Sequence, residues 1–280
     1  MLSPTVVIGV IVFVFGAVIG SFLNVCIYRV PRGESIVSPR SKCPGCGQMI
    51  TAWQNIPLIS YLLLRGRCRN CGQSISWRYP AVELLTGLVT TGLYFKYGLT
   101  SPFFVNTVFA CLLIVLVFTD LDLRILPDVF TKGGIIAGLI LSSFQDPVFL
   151  DLQLLPESLP ELVKGIGNPI LGSLAGVLFG AGFLWGVAWI YLKLRKIDGM
   201  GFGDVKLIAM IGAFTGWKLT WLTILGGSLI GAILGGGYMF LKGKEQKYEL
   251  PFGTFLGMAA ILAVFFGPDL IDWYFSRIVP

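Results

Sequence analysis

The sequence predicts an all-α polytopic membrane protein of about eight spanning helices, with a small polar lobe between the first two. Three observations carry that prediction. The chain is 55% hydrophobic and only 13% charged, with mean hydropathy +0.81, which no soluble domain of 280 residues matches. Its apolar residues fall into long runs interrupted by short polar, glycine-rich or proline-rich breaks. One extended polar stretch, 28–79, carries four cysteines in two matching hooks.

The first run, Thr5–Ile27, has no basic segment before it, so it reads as a retained spanning helix and not a cleaved signal peptide. The polar stretch follows. Cys43 and Cys46 stand in KCPGCGQ, Cys68 and Cys71 in RCRNCGQ, and the second hook partly repeats the first. Two tight turns that each present two thiolates complete a tetrahedral shell, the arrangement of a zinc ribbon. Four thiolates leave no open position for substrate, so the metal's expected role is structural. The stretch has too few apolar residues for a core, and metal binding would supply its folding energy. Zinc suits two separate knuckles better than iron does. The domain reading is therefore a first helix over 1–27, a metal-binding lobe over 28–79 and a membrane domain over 80–280.

Seven further runs qualify as spans: Pro80–Tyr97, Pro102–Thr119, Asp128–Phe144, Pro169–Leu192, Val205–Trp217, Trp221–Leu241 and Phe252–Phe275. Charge orients them. With the N-terminus outside, only Lys96, Lys164, Lys218 and Arg277 of the 21 lysines and arginines lie on the outer side. The net charge of +6 thus follows from membrane topology and asks for no nucleic acid. The lobe falls in the cytoplasm, where its thiols stay reduced and ready for metal. The acidic connector 145–168 falls outside, with a short interfacial helix expected around Leu152–Leu155. Cys26 and Cys111 lie in apolar runs as small packing residues.

Carboxylates mark the cytoplasmic helix ends. Asp120, Asp122 and Asp128 lie in FTDLDLRILPD, and Asp198 and Asp204 in DGMGFGDVK. Acidic groups beside apolar helices are costly and point to function. Asp120 ends one uninterrupted apolar run and Asp204 opens another; Asp122, Asp128 and Asp198 read as solvated or supporting. Two carboxylates in a partly dry site share one proton, a state suited to amide hydrolysis. The chain has no histidine, which removes Ser-His and Cys-His catalysis and His-ligated zinc. On these residues alone, an aspartate-pair hydrolase and a transporter with a charged pathway both stay open. Gly199, Gly201 and Gly203 would give an extended peptide room beside Asp204. GMGFG is no dinucleotide loop, because no strand precedes it. Glu83 lies about one turn inside the second span and reads as a structural group or part of a methyl-transfer site. Lys206 either stabilises a carboxylate or reaches to headgroups.

Taken in order, GSFLNVCIYRVPRGESIVSPRSKCPGCGQ, NIPLISYLLLRGRCRNCGQSISWRYPAVELLTG, TDLDLRILPD, GMGFGDVKLIAMIGAFTGW and LPFGTFLG resemble the type IV prepilin peptidase family over nearly the whole chain. The resemblance implies a bacterial inner-membrane aspartyl protease of the GxGD type. Such enzymes cut the basic leader of prepilins and pseudopilins on the cytoplasmic side, usually after a glycine. Many also methylate the new N-terminus with S-adenosylmethionine. It implies Asp120 and Asp204 as the catalytic pair and Cys43, Cys46, Cys68 and Cys71 as the ligands of a Zn2+ site. A related protease without methyl transfer and a zinc-ribbon membrane module or transporter are the alternatives. No Rossmann-like pattern exists, so a methyl donor would bind in the lobe or between it and the helices. The family's last motif usually reads PFGP; here it is Pro251-Phe252-Gly253-Thr254, a departure that bears on a local turn and not on the chemistry.

Overall fold

The computed structural model describes residues 3–146, 149–150, 161–196, 201–242 and 251–278. The expected interfacial helix at Leu152–Leu155, and Asp198 and Gly199, lie outside the described residues. Helices α1 (Pro4–Arg29), α2 (Ile59–Leu63), α3 (Arg78–Tyr97), α4 (Ser101–Leu123), α5 (Asp128–Leu141), α6 (Glu161–Arg195), α7 (Phe202–Lys242) and α8 (Phe252–Ile278) follow in order. Among the described residues, strand pairing is limited to two isolated bridges, Lys42 with Met49 and Arg67 with Ser74.

Among the described residues, five helical segments are long and apolar enough to cross a membrane: Pro4–Arg32, Ser101–Leu123, Lys164–Arg195, Phe202–Gly237 and Phe252–Tyr274. The sequence reading had about eight. The difference has physical sources. Helix α3 carries Arg78, Glu83 and Lys96, and α5 has only 14 residues. The two spans expected within 205–241 both lie in α7, as two helices that meet at a kink and are counted here as one segment. A straight helix of its 41 residues would reach about 60 Å, twice the ~30 Å hydrocarbon core. It is interrupted at Gly216, where φ is 66° and ψ is −179°. A side chain is strained at such a φ, and a Cβ there would meet the Phe149 carbonyl at 2.3 Å.

The chain divides into two compact units, Met1–Leu99 and Thr100–Pro280. In the first, α1 packs along α3. Asn24 on α1 donates its Nδ2 to the Tyr79 carbonyl at 3.0 Å, and Glu83 on α3 accepts the Leu58 N–H at 2.8 Å. Glu83 is buried and ties the polar segment to the helix that follows it, which favours the structural reading of this residue. The outward side of α1 bears Val10, Val14, Phe15 and Phe22, all exposed, as a lipid-facing helix requires.

In the second unit, α7 packs on α6, α8 and α5, and α8 packs on α4. Leu113, Leu116, Leu207, Met210, Ile211 and Leu256 are completely enclosed. Helices α6 and α7 meet where Gly176 faces Gly212; a Cβ on either would lie 2.2 Å from the other's carbonyl oxygen. Small residues at such crossings let backbones approach closely in lipid. This packing brings the end of α4 and the starts of α7 and α8 together.

Candidate active site and metal centre

The metal centre is built by a local repeat. In each hook the first cysteine's N–H bonds to the carbonyl five residues on: Cys43 to Gln48 at 2.9 Å and Cys68 to Gln73 at 2.8 Å. The glycine after the second cysteine returns an N–H to the first cysteine's carbonyl, at 2.9 Å in both. Those glycines, Gly47 and Gly72, take φ of 70° and 74°. Equal turns present equal pairs of thiols, and all four sulfurs lie within 4.8 Å of one another. Cys43 and Cys71 Sγ are 3.8 Å apart. A tetrahedral shell with Zn–S of about 2.3 Å asks for about that separation. Backbone N–H groups of Cys71 and Asn70 pull the Cys68 thiol down to about 6, toward the thiolate a metal needs. The four cysteines predicted from spacing are thus brought together, with geometry and donor chemistry that fit zinc.

The carboxylate site is assembled from distant segments. Asp120 lies in the last turn of α4 and is buried; Asp204 lies in the first turn of α7 and is half-buried. They converge on Gly253, the second residue of α8. A Cβ placed on Gly253 would lie 3.1 Å from Asp120 Oδ2 and 3.1 Å from Asp204 Oδ1. The two oxygens are therefore no farther apart than twice that distance, about the gap that one water bridges with two hydrogen bonds. A glycine at 253 is what permits α8 to approach both.

Thr254 completes the contact. Its N–H and its hydroxyl both donate to Asp120 Oδ2, at 2.7 and 2.8 Å. The first N–H groups of a helix have no partner within the helix, so Asp120 caps α8 from across the bundle. The departure from PFGP therefore falls on the candidate chemistry itself and not merely on a turn. Leu126 forms an apolar wall. Its Cδ1 would lie 3.0 Å from a Cβ on Gly253 and 3.2 Å from one on Gly203. This corrects the expectation for the glycines: the space beside Gly203 is taken by Leu126. Gly201 is open, its nearest neighbour being Asp204 Oδ2 at 3.9 Å.

Two other described acidic candidates take different places. Asp128 forms ion pairs with Lys132, at 2.7 Å, and with Lys206, which ties the start of α5 to the start of α7. Lys206 thereby serves Asp128. Asp122 is exposed. Sequence reasoning missed Gly253 and Leu126 and placed Thr254 wrongly. The available signal was that Pro251-Phe252-Gly253 opens the last apolar run on the side assigned to both aspartates.

A cleft of about 220 Å³ in the lobe is lined by Val25, Arg29, Pro39, Arg40, Thr51 and Asn55 among others. Arg29 donates to the Ser35 and Pro39 carbonyls at 2.8 and 2.7 Å.

Comparison with known proteins agrees with the geometry. Residues 14–97 match the bacterial peptidase A24 N-terminal domain, and residues 107–236 match the type IV leader peptidase family. The chain is 35% identical over 294 residues to a prepilin leader peptidase/N-methyltransferase of Aeromonas salmonicida, covering 96% of this chain and 94% of that protein. It is 36% identical over 288 residues to the protein of that name from Legionella pneumophila, covering 94% and 93%. It is 33% identical over 282 residues to that of Pseudomonas aeruginosa, covering 92% and 90%. No solved structure gives a significant match. The chain belongs to the type IV leader peptidase family.

Proposed function

We propose that Asp120 and Asp204 are the catalytic pair of a membrane aspartyl endopeptidase that removes the leader of type IV prepilins and pseudopilins. The family's reactions, prepilin leader cleavage and N-methylation, are the activities of this chain. The observation that carries the residue assignment is the convergence of two carboxylates on Gly253 in a chain without histidine. One carboxylate activates water while the other donates a proton to the carbonyl oxygen.

Cys43, Cys46, Cys68 and Cys71 would hold one zinc with a closed ligand shell, stabilising the lobe and taking no part in peptide cleavage. Methyl transfer implies S-adenosylmethionine as donor.

The arginine and lysine bias supports an outside N-terminus, with the lobe and both aspartates at the cytoplasmic face of the bacterial inner membrane. In that topology α3 and α5 also cross, and α7 crosses twice about Gly216, giving eight passes. The division into a first helix 1–27, a metal-binding lobe 28–79 and a protease domain 80–280 follows the same reading. The substrate's hydrophobic helix lies in the bilayer and its leader at the surface. The cut segment must be extended there, and Leu126 leaves little room beside the pair, which suits a glycine at the junction.

The test is cleavage by the purified full-length chain in lipid. A prepilin with its leader should be shortened by the leader's mass, and supplying S-adenosylmethionine should then methylate the new N-terminus. An intact substrate after prolonged incubation with well-folded protein would contradict the proposal.

A further inference from the structure

We propose that Thr254 is a positioning residue that holds Asp120 as the ionised member of the pair, which fixes Asp120 as the base and Asp204 as the acid. The inference rests on the assignment of these two aspartates as the catalytic pair. Thr254 is 2% exposed, so its polar groups have no access to water. Its N–H at 2.7 Å and its hydroxyl at 2.8 Å both point to one oxygen, Asp120 Oδ2. The hydroxyl's other acceptor, the Val117 carbonyl, lies at 3.4 Å and is the weaker partner. An oxygen receiving two donors in a dry site is held as an acceptor, and a charged acceptor gains most from such bonds. The shared proton then resides on Asp204, and Asp120 Oδ1, which takes no bond from Thr254, is the oxygen that accepts a proton from the attacking water.

The proton balance closes. Asp120 Oδ1 takes a proton from water as the water oxygen bonds to the scissile carbon. The carbonyl π pair moves to its oxygen, which takes the proton from Asp204. The C–N bond then breaks, the amine receives the proton held by Asp120, and Asp204 recovers one from the gem-diol. Both aspartates return to their starting states, and only water is consumed.

The experiment is steady-state cleavage of a prepilin by the full-length chain carrying Thr254→Val, Thr254→Ser or Asp120→Ala, with thermal melting of each. Valine keeps the shape and the N–H but removes the hydroxyl. It should lower kcat about ten- to a hundredfold with KM little changed, the loss expected for one hydrogen bond to a charged group. Serine should restore most of kcat. Wild-type kcat in the valine variant, a loss confined to KM, or a serine variant as slow as valine at normal melting temperature would each overturn the proposal. If valine melts early, the serine comparison decides alone: kcat near wild type supports the hydroxyl's role, and kcat as low as valine's overturns it. Asp120→Ala separates the two levels, since full activity there would remove the catalytic pair itself and not only the role of Thr254.

Discussion

The two sites of this protein are built in opposite ways. The metal centre lies in a polar segment, and its four sulfurs come from two copies of one short turn, each closed by its own backbone bonds. The carboxylate site has no local repeat. It takes Asp120 from the end of α4, Leu126 from the following turn, Asp204 from the start of α7, and Gly253 and Thr254 from the start of α8. The first site is shaped by turn geometry and would be held by its metal, the second by helix packing. They should therefore fail independently. Losing the metal unfolds a lobe, whereas a misplaced helix end leaves the fold and removes the chemistry.

The sharpest break comes from the aspartates. Asp120→Ala or Asp204→Ala should reduce leader cleavage by about 10²–10⁴-fold or more, with metal content and melting unchanged. An equal loss of metal would contradict the independence of the two sites. Next is Gly253→Ala. Its Cβ would sit 3.1 Å from both carboxylate oxygens and 3.0 Å from Leu126 Cδ1, so something must shift. Displacing a reacting group by about 1 Å costs up to about 10²-fold, measurable as kcat on a prepilin. Normal kcat would show that α8 does not approach the pair as described.

The reverse break is Cys43→Ser with Cys68→Ser. Elemental analysis should fall from about one metal per chain to near zero, and the lobe should become protease-sensitive. Methyl transfer should fall more than cleavage. Metal retained in this double variant would contradict the ligand set. The smallest effect belongs to Leu126→Ala. It should admit larger junction residues, changing the glycine-to-alanine discrimination by about tenfold, the scale of a methylene in a tight pocket. Gly203→Val should impair cleavage through the same wall, because its side chain would press on Leu126.

The contrast also explains what was legible in the sequence. The cysteine cluster could be read because its ligands sit in one repeated local pattern, CPGCG and CRNCG, whose glycines need positive φ. The aspartates were legible as costly charges at apolar helix ends. Their meeting on Gly253 was not, because helix–helix contacts between residues far apart in the chain, Asp120 and Asp204 each with Gly253, leave no periodic trace. Thr254 was readable only as a deviation from PFGP; that its hydroxyl faces Asp120 depends on where α8 starts against α4. The two spans within α7 were separable only by their apolar runs. Their junction at Gly216 sits where the packing of Phe149 demands glycine, and Lys218 was the one charge in the sequence to mark it.

The claim that Asp120 and Asp204 form one catalytic unit is tested most directly by single-turnover cleavage of a prepilin by Asp120→Asn, Asp204→Asn and the double variant. If they act as one unit, each single substitution removes nearly all of the acceleration, and the double variant is no slower than the slower single. Losses that multiply in the double variant, or a single variant that cuts at the wild-type rate, would contradict it.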